Sequence, residues 1–80
     1  MEKKIFEMTG SPKPHFEKKD IFVEIMKQFG WEHGKMTKRN NVCNILVCET
    51  TDSGSAKLKL ASELGVEVMT YEEIVDVFGI

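Results

Sequence analysis

The spacing of apolar residues divides the chain into strand-like and helix-like stretches. From Glu17 to Phe29 the residues Ile21, Phe22, Ile25, Met26 and Phe29 recur every three or four positions, with Lys27 and Gln28 late. That period predicts an amphipathic helix, and Gly30 supplies its stop before Trp31. Upstream, Lys3 to Thr9 is a short β-prone run, ended by Gly10-Ser11-Pro12-Lys13-Pro14. The glycine and prolines permit neither strand nor helix, so a stiff, exposed loop running to His15-Phe16 is expected. Downstream, Glu32-His33-Gly34-Lys35 fits a weak edge strand, and Met36 to Asn41 a polar, basic connection exposed to solvent. Asn44-Ile45-Leu46-Val47-Cys48 is the most apolar run and predicts a central strand buried on both faces.

The next stretch, Ser53 to Val68, carries the main functional clue. Leu60, Ala61 and Leu64 form an apolar helical face, Asp52, Ser53 and Ser55 are candidate caps, and Gly65 is placed to end the helix. Val66 to Met69 then predicts a fourth strand. Thr70 and Glu73 have capping-box spacing ahead of Ile74, Val75, Val77 and Phe78, which predict a final short helix. Lys57 and Lys59 fall in the first turn of the second helix, where the unpaired N–H groups favour acids and disfavour exposed cations by about 0.3–1 kcal/mol. A helix start rich in Ser, Gly and Lys suits an anion such as phosphate. Lys57 shares the stripe of Leu60, Ala61 and Leu64, so its stem is expected against the core and its amine at the sheet edge, whereas Lys59 points to solvent.

Strands joined through helices imply a parallel α/β sheet with right-handed crossovers and helices on both faces. Ligands of such sheets bind at the carboxyl ends of the strands. Thr9-Gly10-Ser11 and Ser55 to Lys57 converge on that edge.

Composition bounds the function. Eighty residues make one small domain over positions 1–80, which buries about 60–65% of the surface its unfolded chain exposes. A charged fraction of 30% and a net charge of -2 argue against nucleic-acid binding through a broad basic surface, so any DNA contact is local. Cys43 and Cys48 lack metal or redox spacing and are expected on opposite faces, as unpaired thiols of a reducing compartment. His15 and His33 fall in loop and edge contexts as surface residues. No cofactor, metal or membrane span is signalled, and no partnered nucleophile, so a non-enzymatic, intracellular chain is expected, cytoplasmic in a prokaryote or nuclear in a eukaryote. Met1 and Ile80 fit either a stand-alone protein or a domain cut from a longer one.

From Ile5 to Phe78 the sequence resembles the BRCT domain. Thr9-Gly10 looks like that family's Thr/Ser-Gly after the first strand, Phe29-Gly30 like its aromatic-Gly-Gly, and Ile45-Leu46-Val47 like its third strand. Ser55-Ala56-Lys57 through Ala61-Ser62-Glu63-Leu64-Gly65-Val66 looks like its SxKxxKAxELGI helix, closest in flavour to bacterial NAD-dependent DNA ligases and the replication factor C large subunit. Two departures stand out: Trp31 replaces the second Gly, and Ile74 lies near the position of the final helix's usual Trp. Trp31 is placed either to refill part of that core or to stand exposed.

The resemblance implies a four-stranded parallel sheet with two helices on one face and one on the other. It also implies a non-catalytic module of DNA replication or repair that grips a phosphate, of a DNA 5′-phosphate end or of a phosphopeptide. The ligands would be Thr9, Gly10 and Lys57, with Ser55 as an added hydroxyl and Lys19 as the basic residue near the start of the first helix. A DNA ligase, polymerase or nuclease is the implied partner or parent chain. The alternative is a protein-protein or homotypic module without an anion site, binding through exposed apolar residues such as Trp31, Phe16 or Met36.

Overall fold

The computed structural model describes residues 4–13, 15–50 and 55–80. Strands β1 (Ile5–Thr9), β2 (Glu32–His33), β3 (Ile45–Cys48) and β4 (Glu67–Thr70) form one parallel sheet in the order β2-β1-β3-β4. Helices α1 (Lys19–Gln28), α2 (Ala56–Leu64) and α3 (Tyr71–Phe78) cover it. Residues from α1 and α3 share one core cluster with Phe6, Met8, Ile45 and Val47. Residues from α2 share the other with Ile5, Leu46 and Val68. Two helices therefore lie on one face and one on the other, as expected. The alternation of side chains along each strand produces this division, because neighbours in sequence point to opposite faces.

The two cores differ in kind. The α1/α3 side is aromatic: Phe22 meets Phe6, Phe16 and Tyr71 edge-on at 5.5, 4.8 and 5.0 Å between ring centres, and Trp31 meets Phe78 at 5.2 Å. Edge-on pairs suit the ring quadrupoles, and burying each such ring stabilises by about 1.5–3 kcal/mol. The α2 side is aliphatic and is completed by the connection between β2 and β3, which buries Met36 and Cys43 beside Ala61. That connection crosses β1 without a helix.

Local signals set the element ends. Ser55 caps α2 by accepting from the Leu58 N–H at 3.2 Å, and Gly65 ends it in the left-handed conformation at φ 70°. Of the other cap candidates, Asp52 and Ser53 lie outside the described residues. Thr70 and Glu73 form the expected capping box of α3. Helix α1 is shorter than its apolar period, running from Lys19 rather than Glu17, and its N-cap Lys18 makes no side-chain cap bond. At its other end Gly30 alone suffices: the Gly30 and Trp31 N–H groups donate to Lys27 and Met26 carbonyls at 3.0 Å.

Two expectations of exposure are corrected, and the alternative left open for Trp31 is decided. Trp31, Phe16 and Met36 are 6%, 4% and 8% exposed, all core residues. Trp31 does refill the α1/α3 core, where Ile74 is fully buried. Phe16 is drawn in by Phe22 and Tyr71, and its N–H donates to the Pro12 carbonyl at 3.0 Å, so the loop after β1 folds back and buries Pro12 too.

Packing is tightest where β2 leaves the sheet. A Cβ at Gly34 would stand 2.6 Å from Ile5 Cγ2. Gly34→Ala is therefore expected to destabilise by about 1–3 kcal/mol in urea unfolding. Adding Ile5→Ala should make the glycine substitution cost less than it does alone.

Candidate functional site

Register places the site. Thr9, Cys48 and Thr70 pair across β1, β3 and β4, so Gly10, Glu49 and Tyr71 follow as the next residues of three adjacent strands, at the carboxyl edge. Gly10 turns the chain at φ 77°, a conformation that favours glycine, and a Cβ there would stand 3.0 Å from the Cβ of Glu49. Ser11 Oγ accepts from the Lys13 N–H at 3.3 Å and fixes the next turn.

Lys57 reaches this edge from α2. Its Nζ donates to the Met8 carbonyl at 2.9 Å, immediately before Thr9-Gly10, and the side chain stays 47% exposed. The stem runs along the core and the ammonium emerges at the edge, as the helical stripe implied. Thr9 is half-buried beside it in β1. Ser55 belongs to the same helix start, but its Oγ is engaged in capping. Lys59 is exposed. Lys19 is exposed at the start of α1, on the opposite face of the sheet from α2, so the structure does not bring it to the same side as Lys57.

Sequence reasoning missed Glu7. It sits in the middle of β1, 7% exposed, on the α2 side, and its carboxylate collects partners from four parts of the chain. Oε1 accepts from the Met8 N–H at 2.9 Å, lies 3.2 Å from His33 Nε2 and pairs with Lys57 Nζ at 3.7 Å. Oε2 accepts from the Met36 N–H at 3.3 Å. Burial pushes the carboxyl up, and these hydrogen bonds with the Lys57 charge outweigh it, holding Glu7 below its ordinary value. His33, expected as a plain surface residue, is thus tied to a buried acid. The available signal was a lone acid sharing the Ile5 face of a buried strand.

Glu49 was also missed. Its Oε2 lies 3.4 Å from the Ser11 N–H, a long contact on the exposed edge. On the α3 side, Glu49 lines a cavity of about 200 Å³ with Lys13, His15, Tyr71 and Glu72. Burial, with the charges of Cys48, Glu49 and Glu7, pushes the Tyr71 phenol up to about 12, so it remains a hydrogen-bond donor at neutral pH.

Both cysteines are free and buried. Cys43 precedes β3 and donates to the Gly34 carbonyl at 3.2 Å, while Cys48 donates to the Met69 carbonyl at 3.6 Å. Burial and then a nearby carboxylate, Glu7 or Glu73, push each thiol up, away from the reactive thiolate. Among the described residues no group of three His, Cys, Asp or Glu side chains could hold a metal ion, and no helix is long and apolar enough to cross a membrane.

The fold and edge together define a small parallel α/β domain that presents a half-exposed ammonium beside a Thr-Gly turn. No family model, no curated protein and no solved structure matches the chain.

The Glu7 contacts predict the acid behaviour of the fold. Glu7→Gln should destabilise by about 1–3 kcal/mol at neutral pH, because hydrogen bonds to a charged acceptor are lost. The folded carboxyl lies below the ordinary value of 4.5, so its contribution is present above 4.5 and disappears as pH falls through the folded value. Thermal melts of both proteins across that range should converge in acid.

Proposed function

We propose that this chain is a non-catalytic interaction module of the BRCT type that grips a phosphate at the carboxyl edge of its sheet, foremost the 5′-phosphate of a DNA end. The supporting observation is the Lys57 ammonium, fixed 2.9 Å from the Met8 carbonyl, half-exposed, one residue before Thr9-Gly10. A phosphate there would draw on the Lys57 charge, the Thr9 hydroxyl and the backbone N–H groups of the Gly10 turn. Such charge-assisted bonds are strong singly, but one small pocket gives modest affinity, and a ligase, polymerase or nuclease partner would supply the flanking contacts. Ser55 supports the reading indirectly, by holding the first turn that carries Lys57. Lys19, with Lys18, sets positive charge on the far face at the α1 start, where a DNA backbone leaving the pocket could pass.

One observation favours a second reading, a protein-protein module without an anion site: Glu7 already pairs with Lys57, and Glu49 stands at the Ser11 N–H. In that reading the contact residues are not Trp31, Phe16 or Met36, which are buried, but the exposed Ile21, Val42, Val77 and Ile80.

Binding of a duplex with a recessed 5′-phosphate, compared with the same duplex lacking it, separates the two readings. Preference for the phosphorylated duplex should be strong at low salt, fall as salt rises, and drop about tenfold or more in Lys57→Met, an interaction of roughly 1.4 kcal/mol or above. Because Lys57 also serves the fold, Thr9→Val is measured beside it and should lose several-fold with an unchanged melting temperature. Equal binding of the two duplexes by the native chain would leave the protein-protein reading in place.

A further inference from the structure

The phosphate reading leaves two features without a role: the Glu49 carboxylate at the mouth of the site and the Tyr71 hydroxyl behind it. Both stand where they do because of register, as the residues following Cys48 of β3 and Thr70 of β4. The Glu49 Oε2 lies 3.4 Å from the Ser11 N–H and would lie 3.4 Å from a Cβ on Gly10. It therefore occupies the space against the Gly10 turn that the phosphate would need. An acid in that place repels a second anion, and two anions cannot share the same donors. The contact is long and exposed, so little holds the carboxylate there.

On its other side Glu49 faces the cavity it shares with Tyr71. Tyr71 is 2% exposed, and its hydroxyl has no hydrogen-bond partner among the described residues. A buried donor without a partner is uncommon and unfavourable. A carboxylate lining the same cavity, Glu49, could compensate it, since a phenol donating to a charged oxygen makes a short, strong bond. The Glu49 charge already bears on the phenol.

We propose that Glu49 is an internal stand-in for the ligand's anion, and that a bound phosphate displaces its carboxylate from the Ser11 N–H toward the Tyr71 hydroxyl. The proposal rests on the phosphate reading and adds what sets its selectivity. Weak anions fail to displace Glu49, while a dianionic phosphate, strengthened by Lys57, succeeds. Tyr71 lowers the free-energy cost of displacement by giving the displaced carboxylate a donor. Glu49 is thus a specificity-determining residue, and Tyr71 acts only through it.

The test is fluorescence anisotropy with phosphorylated and unphosphorylated recessed duplexes for native protein, Glu49→Gln, Tyr71→Phe and the double variant. The readout is the ratio of the two affinities, which removes any general gain from losing a negative charge. Glu49→Gln should raise that ratio about five- to tenfold, an effect of roughly 1–1.4 kcal/mol. Tyr71→Phe should lower it several-fold in the native background and leave it unchanged beside Glu49→Gln. Tyr71→Phe removes a buried, unpartnered hydroxyl, so it should keep or raise its melting temperature. The Ser11 amide resonance, followed as inorganic phosphate is added, should move at lower phosphate in Glu49→Gln than in the native chain. Retained phosphate preference with an unchanged ratio in Glu49→Gln, or an equal effect of Tyr71→Phe in both backgrounds, overturns the role of Glu49 while the phosphate site stands. Absence of preference in all four proteins overturns the site itself and this proposal with it.

Discussion

A carboxylate in the middle of β1 is the constraint around which the α2 side of the molecule is arranged. Glu7 is buried, and a buried charge is tolerated only when its lone pairs are met by donors and its charge by a cation. The chain meets that demand from the backbone of β1 itself, from His33 of β2, from the Met36 N–H of the crossing connection, and from Lys57 of α2. Each of the three distant contributors belongs to an element that could otherwise slide along the sheet. The two-residue strand β2 pairs with β1 over a short register, and the β2–β3 connection has no helix to dock. A shared acid gives these weakly specified pieces a common fixed point.

The aromatic side of the sheet is held together differently. Phe6, Phe16, Phe22, Tyr71, Trp31 and Phe78 form a run of ring contacts that joins β1, α1, the two flanking loops and α3. Apolar contact is tolerant of small shifts, whereas the Glu7 cluster is directional. Positional precision is thus concentrated on the α2 face, where Lys57 is held by Glu7 and the Met8 carbonyl. The same cation completes the acid's coordination and stands at the carboxyl edge, so the geometry of the candidate site depends on the interaction that orders the α2 face.

What the sequence disclosed follows the range of the interactions. Caps, helix stops and the fully apolar β3 are set by residues within a few positions of one another, and Ser55, Gly65 and the Thr70–Glu73 box appear where their spacing put them. The path of Lys57 was legible because a helical stripe is also local. The partners of Glu7 lie 26, 29 and 50 residues away in the chain, counting 33, 36 and 57 from 7, and no local pattern announces them. Trp31, Phe16 and Met36 occur among polar neighbours and read as exposed, yet long-range packing claims them. Glu49 resembled an ordinary loop acid after a strand until register set it beside Gly10 and Tyr71.

If the carboxyl edge is a binding site, as proposed, its charge pattern narrows what can bind there. The edge carries two acids of different character: Glu7, paired with Lys57, is fixed by four partners, whereas Glu49 meets the Ser11 N–H at a long 3.4 Å. The first acid cannot leave without cost to the fold, so it permanently offsets part of the ammonium charge. The second follows the end of β3, outside every strand and helix. On the phosphate reading, a ligand has to bring enough negative charge to work against a partly neutralised lysine, and enough hydrogen-bonding capacity to replace Glu49 at the turn. A single carboxylate offers neither advantage over the acid already present. A phosphate offers both, with more charge and a third oxygen, and on that reading this difference is what favours a phosphate over the acidic side chains that surround any protein in solution.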